Sequence, residues 1–244
     1  MRELFARISD YFQFSKQEVI ALLSVVVITG FIFSFRDWGG EGFDLGRGVS
    51  HLLLAVLLAA IAFFGRAAVQ KIVGLSMGFQ GTFTVWWTGV ILSLLAAFVT
   101  NGVVTVILPG GLAMAMMVRH RLGEFRYGFN YWEQGLMTYA GSVGNVILAL
   151  LFKVGLTVFP GSWFFQKGLL LNVVVALCAF LPLPRLDGLH LFYSSRLWYF
   201  FLYGIIIGIS ILIFFANVFY TLIGGIAIGA LIWFLFWLVY ERRT

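Results

Sequence analysis

Long apolar stretches separated by short polar breaks set the pattern of this chain. The first runs from about Glu18 to Phe35 and gives way to a polar, glycine-rich connection, RDWGGEGFDLGRG. The second begins near Ser50 with HLLLAVLLAAIAFFG and continues into RAAVQKIVGLSMG, where Arg66, Gln70 and Lys71 interrupt it. A third is predicted over 83–108, ending at Pro109-Gly110-Gly111, and a polar segment follows at 119–135. A fourth covers about 137–159 and a fifth about 168–183; residues 198–240 are long enough for two more, broken near Asn217. The runs are continuous, not alternating with period two, which favours helices over a β-barrel. The expected fold is an all-α, polytopic transmembrane bundle of six or seven spans. Ahead of it, MRELFARISDYFQFSK places Leu4, Phe5, Ile8, Tyr11 and Phe12 at helical spacing, as in an amphipathic helix lying on a membrane interface. The chain thus divides into an interfacial segment (1–16), a membrane core (17–197) and a C-terminal pair of transmembrane helices (198–244).

Composition supports a membrane setting. Of 244 residues, 61% are hydrophobic and 11% charged, against roughly a quarter charged in soluble domains. The net charge of +6 is read as basic residues meeting anionic lipid head groups, with no nucleic-acid partner. A single cysteine, Cys178, excludes an intrachain disulfide and any multi-cysteine metal site. No small-residue cleavage site follows the first apolar stretch, so it is not read as a removable signal. Under a seven-span count the basic residues lean towards the side opposite the N-terminus, Lys167 being counted on the N-terminal side.

Ionisable groups within apolar spans are costly and mark candidate sites. They are Arg66, Lys71, Lys153, Asp187 and His190, with Gln70, Asn145 and Asn172 as polar companions. Glycines at 204/208 and 225/229 have the spacing of close helix contacts.

The run LLLNVVVALCAFLPLPRLDG (169–188) resembles the site-2 protease family of intramembrane zinc metalloproteases, in which an Asn-bearing helix ends in a proline turn followed by Leu-Asp-Gly. YAGSVGNVILALLF (139–152) is similar to that family's Ala-Gly-Pro-x-x-Asn helix, with Ser142 at the proline and Asn145 kept. RAAVQKIVGLSMGFQGTFTVW (66–86) stands where the family carries its HExxH helix, and Gly74 and Gly78 fit the small residues after it. FSKQEVIALL (14–23) is similar to the opening of archaeal members. The resemblance implies a site-2-protease-like core, a prokaryotic cell membrane, and a cleft that accepts a transmembrane helix. It implies Asp187 as the position of the third zinc ligand.

The motif's other positions depart from the family. Its first His falls on Arg66, its Glu on Ala67, its second His on Gln70, and the Asn before the turn on Ala179. Two imidazoles at i and i+4 grip zinc, and the Glu between them acts as general base. Arg cannot give up its proton or ligate zinc, and Ala offers no base. The expectation is a pseudoprotease with no catalytic residue, no metal and no cofactor. Its partners would be the lipid bilayer and transmembrane helices of other proteins or of a larger membrane complex. The guanidinium of Arg66 would then replace the metal's charge beside Asp187, with Gln70 adding a hydrogen bond. The competing reading has Arg66 snorkelling to the interface and Asp187 in water, or paired with Arg185. Asn145 and Asn172 read as interhelical hydrogen bonders or cleft residues. Two alternatives from other classes stay open. One is an active zinc metalloprotease with relocated ligands, using Asp187, His190 and a further His from among His51 and His120. His51, though, lies 15 residues before Arg66, roughly 22 Å along a helix. The other is a small transporter or channel with polar residues lining a water path.

Overall fold

A computed structural model describes residues 2–38, 42–116 and 130–240. The basic segment at 119–126, with His120, and Arg242 and Arg243 lie outside the described residues. Among those described, the chain forms nine helices and one two-stranded sheet. The order is α1 (Arg2–Tyr11), α2 (Lys16–Ser34), α3 (Leu45–Met77), β1 (Phe79–Val85), α4 (Trp87–Val99), β2 (Gly110–Met116), α5 (Tyr131–Val158), α6 (Trp163–Ala179), α7 (Gly188–Ser194), α8 (Arg196–Leu212) and α9 (Val218–Val239).

Local chemistry sets the boundaries. Ser15 caps α2 by accepting from the amide of Glu18 (3.2 Å), and Asp44 caps α3 by accepting from Arg47 N–H (3.0 Å). Gly78 ends α3 in the left-handed region at φ 85°, which a residue with a Cβ adopts at a cost. Asn217 does not merely break the last apolar run; it caps α9, accepting from Tyr220 N–H (3.0 Å). Four helices, α2, α3, α5 and α9, are long and apolar enough to cross a membrane, and α4, α6 and α8 are shorter apolar helices.

The span expected over 83–108 is not one helix. Its middle is the 13-residue α4, flanked by β1 and β2, which pair antiparallel with Phe79 opposite Met116 and Val85 opposite Gly110. Two features break a helix there. FQGTFTV and GGLAMAM carry glycine, threonine and alternating burial, and α4 stops at a turn with Asn101 (φ 50°) and Gly102 (φ 69°) left-handed. The end of α4 reaches the end of α2, where Phe98 packs on Phe31 and Phe35 with ring centres 6.2 and 5.0 Å apart. The chain then returns along β2, so 79–116 goes out and back and does not cross once.

That excursion corrects the charge count. Lys167, at the start of α6, donates to Phe33 O (2.9 Å) and sits 3.0 Å from Asp37 at the end of α2. It therefore belongs to the side away from α1, not the N-terminal side.

The core sits between α2, α3, α5 and α6, with Leu22, Leu58, Ala59, Ala62, Leu171 and Val175 fully buried. The pair α8–α9 is appended by α8. Tyr199 and Tyr203 donate their hydroxyls to Phe180 O and Leu177 O, each at 3.1 Å. The glycine spacing serves this pair within the chain: a Cβ on Gly204 would lie 2.9 Å from Gly229 Cα, and one on Gly208 would lie 2.9 Å from Gly225 Cα.

Candidate functional site

Asp187 closes the turn after α6 at the position just before α7, with no side-chain bond to that helix. Its amide bonds Ala179 O (3.1 Å), tying the turn to the end of α6. Two glycines let other backbone approach: a Cβ on Gly188 would run into Phe180 O, and one on Gly111 would lie 2.7 Å from Asp187 Oδ1. Arg185 takes the left-handed conformation (φ 65°) and is exposed, so it does not partner the acid two residues on.

The acid instead faces α3. Arg66 Nη2 lies 2.5 Å from Asp187 Oδ2, with side-chain exposures of 3% and 1%. Gln70, one turn along the same helix face, donates Nε2 to the same oxygen (2.7 Å) and to Thr138 O (3.2 Å). The other oxygen, Oδ1, accepts from the backbone amide of Leu112 in β2 (3.0 Å). Arg66 Nη1 reaches α5, donating to Asn145 Oδ1 (3.1 Å) and Ser142 Oγ (3.2 Å). Asn145 Nδ2 donates to Ala62 O (3.2 Å) and to Asn172 Oδ1 on α6 (3.1 Å). Asn172 Nδ2 bonds Gly168 O (2.8 Å), and the Ser142 hydroxyl donates to Ala176 O (3.3 Å). One network thus joins α3, α5, α6, the α7 turn and β2, and all its side chains are buried.

The remaining candidates are elsewhere. Ala67 packs into the apolar core and Ala179 is fully buried. His190 is half-buried one turn after Asp187, outside the network. His51 lies near the start of α3, its ring stacked on Trp163 (4.3 Å between centres) and Nδ1 3.8 Å from Asp37 Oδ2. Lys153 is half-buried on α5. Among the described residues no three His, Cys, Asp or Glu side chains group as metal ligands.

Lys71 belongs to a second buried pair that sequence reasoning missed. Its Nζ lies 2.9 Å from Glu18 Oε2, with side-chain exposures of 7% and 1%. It also donates to Gln13 O and Gly81 O, each at 2.9 Å, and sits 4.7 Å from the centre of the Phe14 ring. Glu18 Oε1 accepts from Phe83 N–H of β1 (2.9 Å). One signal was available: an acid at the start of an apolar span, with a lysine at the end of the next, needs a partner once buried.

The chemistry open to the Arg66–Asp187 centre is narrow. The carboxylate accepts three hydrogen bonds, one from a permanent cation, leaving it a poor base and a poor ligand. Arg66 neither accepts protons nor binds metals. Comparison with family models, curated proteins and solved structures returns no match.

Proposed function

We propose that this protein is a non-catalytic, site-2-protease-like membrane scaffold: a pseudoprotease that binds transmembrane helices or serves as a subunit of a membrane complex. One observation carries the reading. The position where the family's motif would place a metal-ligating imidazole holds a guanidinium, and it is spent on the retained acid at 2.5 Å. Positive charge beside Asp187 is thereby kept and water activation is lost, because the centre contains no base and no open ligand position.

Six crossings fit this reading. Helices α6 and α8, at 17 residues each, reach the lower end of the roughly 17–25 residues that span a bilayer. Together with α2, α3, α5 and α9, and with 79–116 re-entering from one side, they return α9 to the side of α1. That side then carries Arg2, Arg7, Lys16, Arg185 and Arg196, and the opposite side Arg36, Arg47, Lys153 and Lys167. Six crossings put both ends of the bundle on one side of the membrane. Reporters fused before α1 and after α9 should report the same side.

The deciding experiment is elemental analysis of protein purified from membranes, paired with identification of co-purifying membrane proteins. The expected result is zinc far below one atom per chain together with a stable membrane-protein partner. One zinc per chain, or cleavage of a transmembrane substrate lost on Asp187→Ala, would overturn the reading.

A further inference from the structure

The two buried ion pairs meet the hairpin at the same rung. Phe83 of β1 and Leu112 of β2 are directly opposite in the antiparallel register. In such a ladder opposite residues either exchange both backbone bonds or neither. Here neither amide serves its neighbour: Phe83 N–H goes out to Glu18 Oε1 (2.9 Å) and Leu112 N–H goes out the other way to Asp187 Oδ1 (3.0 Å). Each carboxylate turns its second oxygen to a cation of the same helix, Lys71 (2.9 Å) and Arg66 (2.5 Å). Two residues before Phe83, and so on the same edge, Gly81 O is taken by Lys71 Nζ (2.9 Å). Both edges of a two-stranded sheet are therefore covered at one level by a carboxylate backed by an α3 cation.

The physical need is plain. A two-stranded sheet has two open edges, each a row of unpaired backbone groups. Among apolar helices those groups must be satisfied internally. Both acceptors for the amides of this rung are anions, whose hydrogen bonds are about twice as strong as neutral ones.

We propose that Glu18–Lys71 and Arg66–Asp187 act as one clamp that holds the 79–116 excursion shut against α3. Release of either pair frees the Phe83–Leu112 rung and lets the hairpin open as a unit. The clamp holds whether or not the bundle binds partner helices, so its failure leaves the scaffold reading standing.

Backbone hydrogen exchange on the full chain in detergent or nanodiscs tests it. Glu18→Leu with Lys71→Met removes the acceptor of the β1 amide without stranding a charge. Glu18→Lys with Lys71→Glu restores the ion pair but presents a donor to Phe83 N–H. In both, the amides of Phe83 and Leu112 should exchange at least ~10-fold faster while those in α5 and α6 keep their rates, as expected for a local opening. Acceleration at Phe83 alone would show two independent contacts and no clamp. Unchanged rates at both amides would overturn the proposal as well. Should neither variant fold, the unsubstituted protein decides. One opening event requires matched protection of the two amides, and protection differing more than ~10-fold overturns the clamp.

Discussion

Arg66–Asp187 and Glu18–Lys71 are both buried ion pairs built on α3, five residues apart, yet their surroundings differ. Arg66 spreads its donors over a carboxylate, an amide and a hydroxyl on two other segments, α5 and the turn before α7. Its planar fork suits that division. Lys71, a compact ammonium, is ringed by one carboxylate oxygen, two backbone carbonyls and a phenyl face. The first pair lies inside the helix bundle. The second lines a cavity of about 230 Å³ bounded by α1, the turn after it and β1, with Asp10, Ser15, Gln80 and Thr82 in its wall. Water admitted there can solvate a stranded charge; inside the bundle nothing can. The depth of each pair, more than its distance, should set the cost of breaking it.

The largest effect is therefore expected at Arg66. Arg66→Met leaves Asp187 buried with its cation gone, and should cost about 3–5 kcal/mol, read as a large drop in thermal midpoint by tryptophan fluorescence in detergent. Arg66→Met with Asp187→Leu removes both charges and should recover most of that loss. A double variant as unstable as the single one would mean that the network, and not the charge, holds the bundle.

Lys71→Met is the matched test on the other pair. It strands Glu18 beside the cavity, where water replaces part of the lost interaction, so the cost should be about 1–3 kcal/mol. Equal losses for Arg66→Met and Lys71→Met would remove the distinction between the sites. Arg66→Lys sharpens it from the other direction. A point charge cannot serve Asp187, Asn145 and Ser142 with one planar group, so about 1–3 kcal/mol should be lost although the charge is kept.

The two pairs also differ in how far the sequence exposes them. A carboxylate in Leu-Asp-Gly with no imidazole at positions 66 and 70 demands a cation, and Arg66 and Gln70 are one helical turn apart at the motif's own spacing. Ser142, by contrast, reads only as a missing proline, whereas its hydroxyl accepts from Arg66 and donates to Ala176 O. The amide of Leu112 is invisible in advance, because a backbone donor has no residue type. Glu18 shows only as an acid at the start of an apolar span; which cation it meets, and that Phe83 N–H joins them, is decided by the tertiary fold. Among the helices, the apolar runs of α2, α3, α5 and α9 and the break at Asn217 are legible in hydropathy. The hairpin is not, since Phe83–Leu108 is apolar enough to pass for one helix and the strands that flank α4 meet only by non-local pairing.

The smallest effect separates the two asparagines of the deeper network. Asn145 is a donor and an acceptor between three helices: it takes a bond from Arg66 and gives bonds to Ala62 O and Asn172 Oδ1. Asn172 accepts from Asn145 and otherwise bonds its own helix at Gly168 O. Asn172→Ala therefore leaves Asn145 with Ala62 O and Arg66 with Asp187. Its cost should fall near the ~0.6 kcal/mol typical of one interhelical hydrogen bond in a membrane protein, with Asn145→Ala towards the ~1.7 upper end. The gap should close in the Arg66→Met, Asp187→Leu background, where Asn145 no longer has a cation to orient. If Asn172→Ala is the costlier change in the native background, the network is organised from α6 inwards, and Arg66 responds to the amides instead of anchoring them.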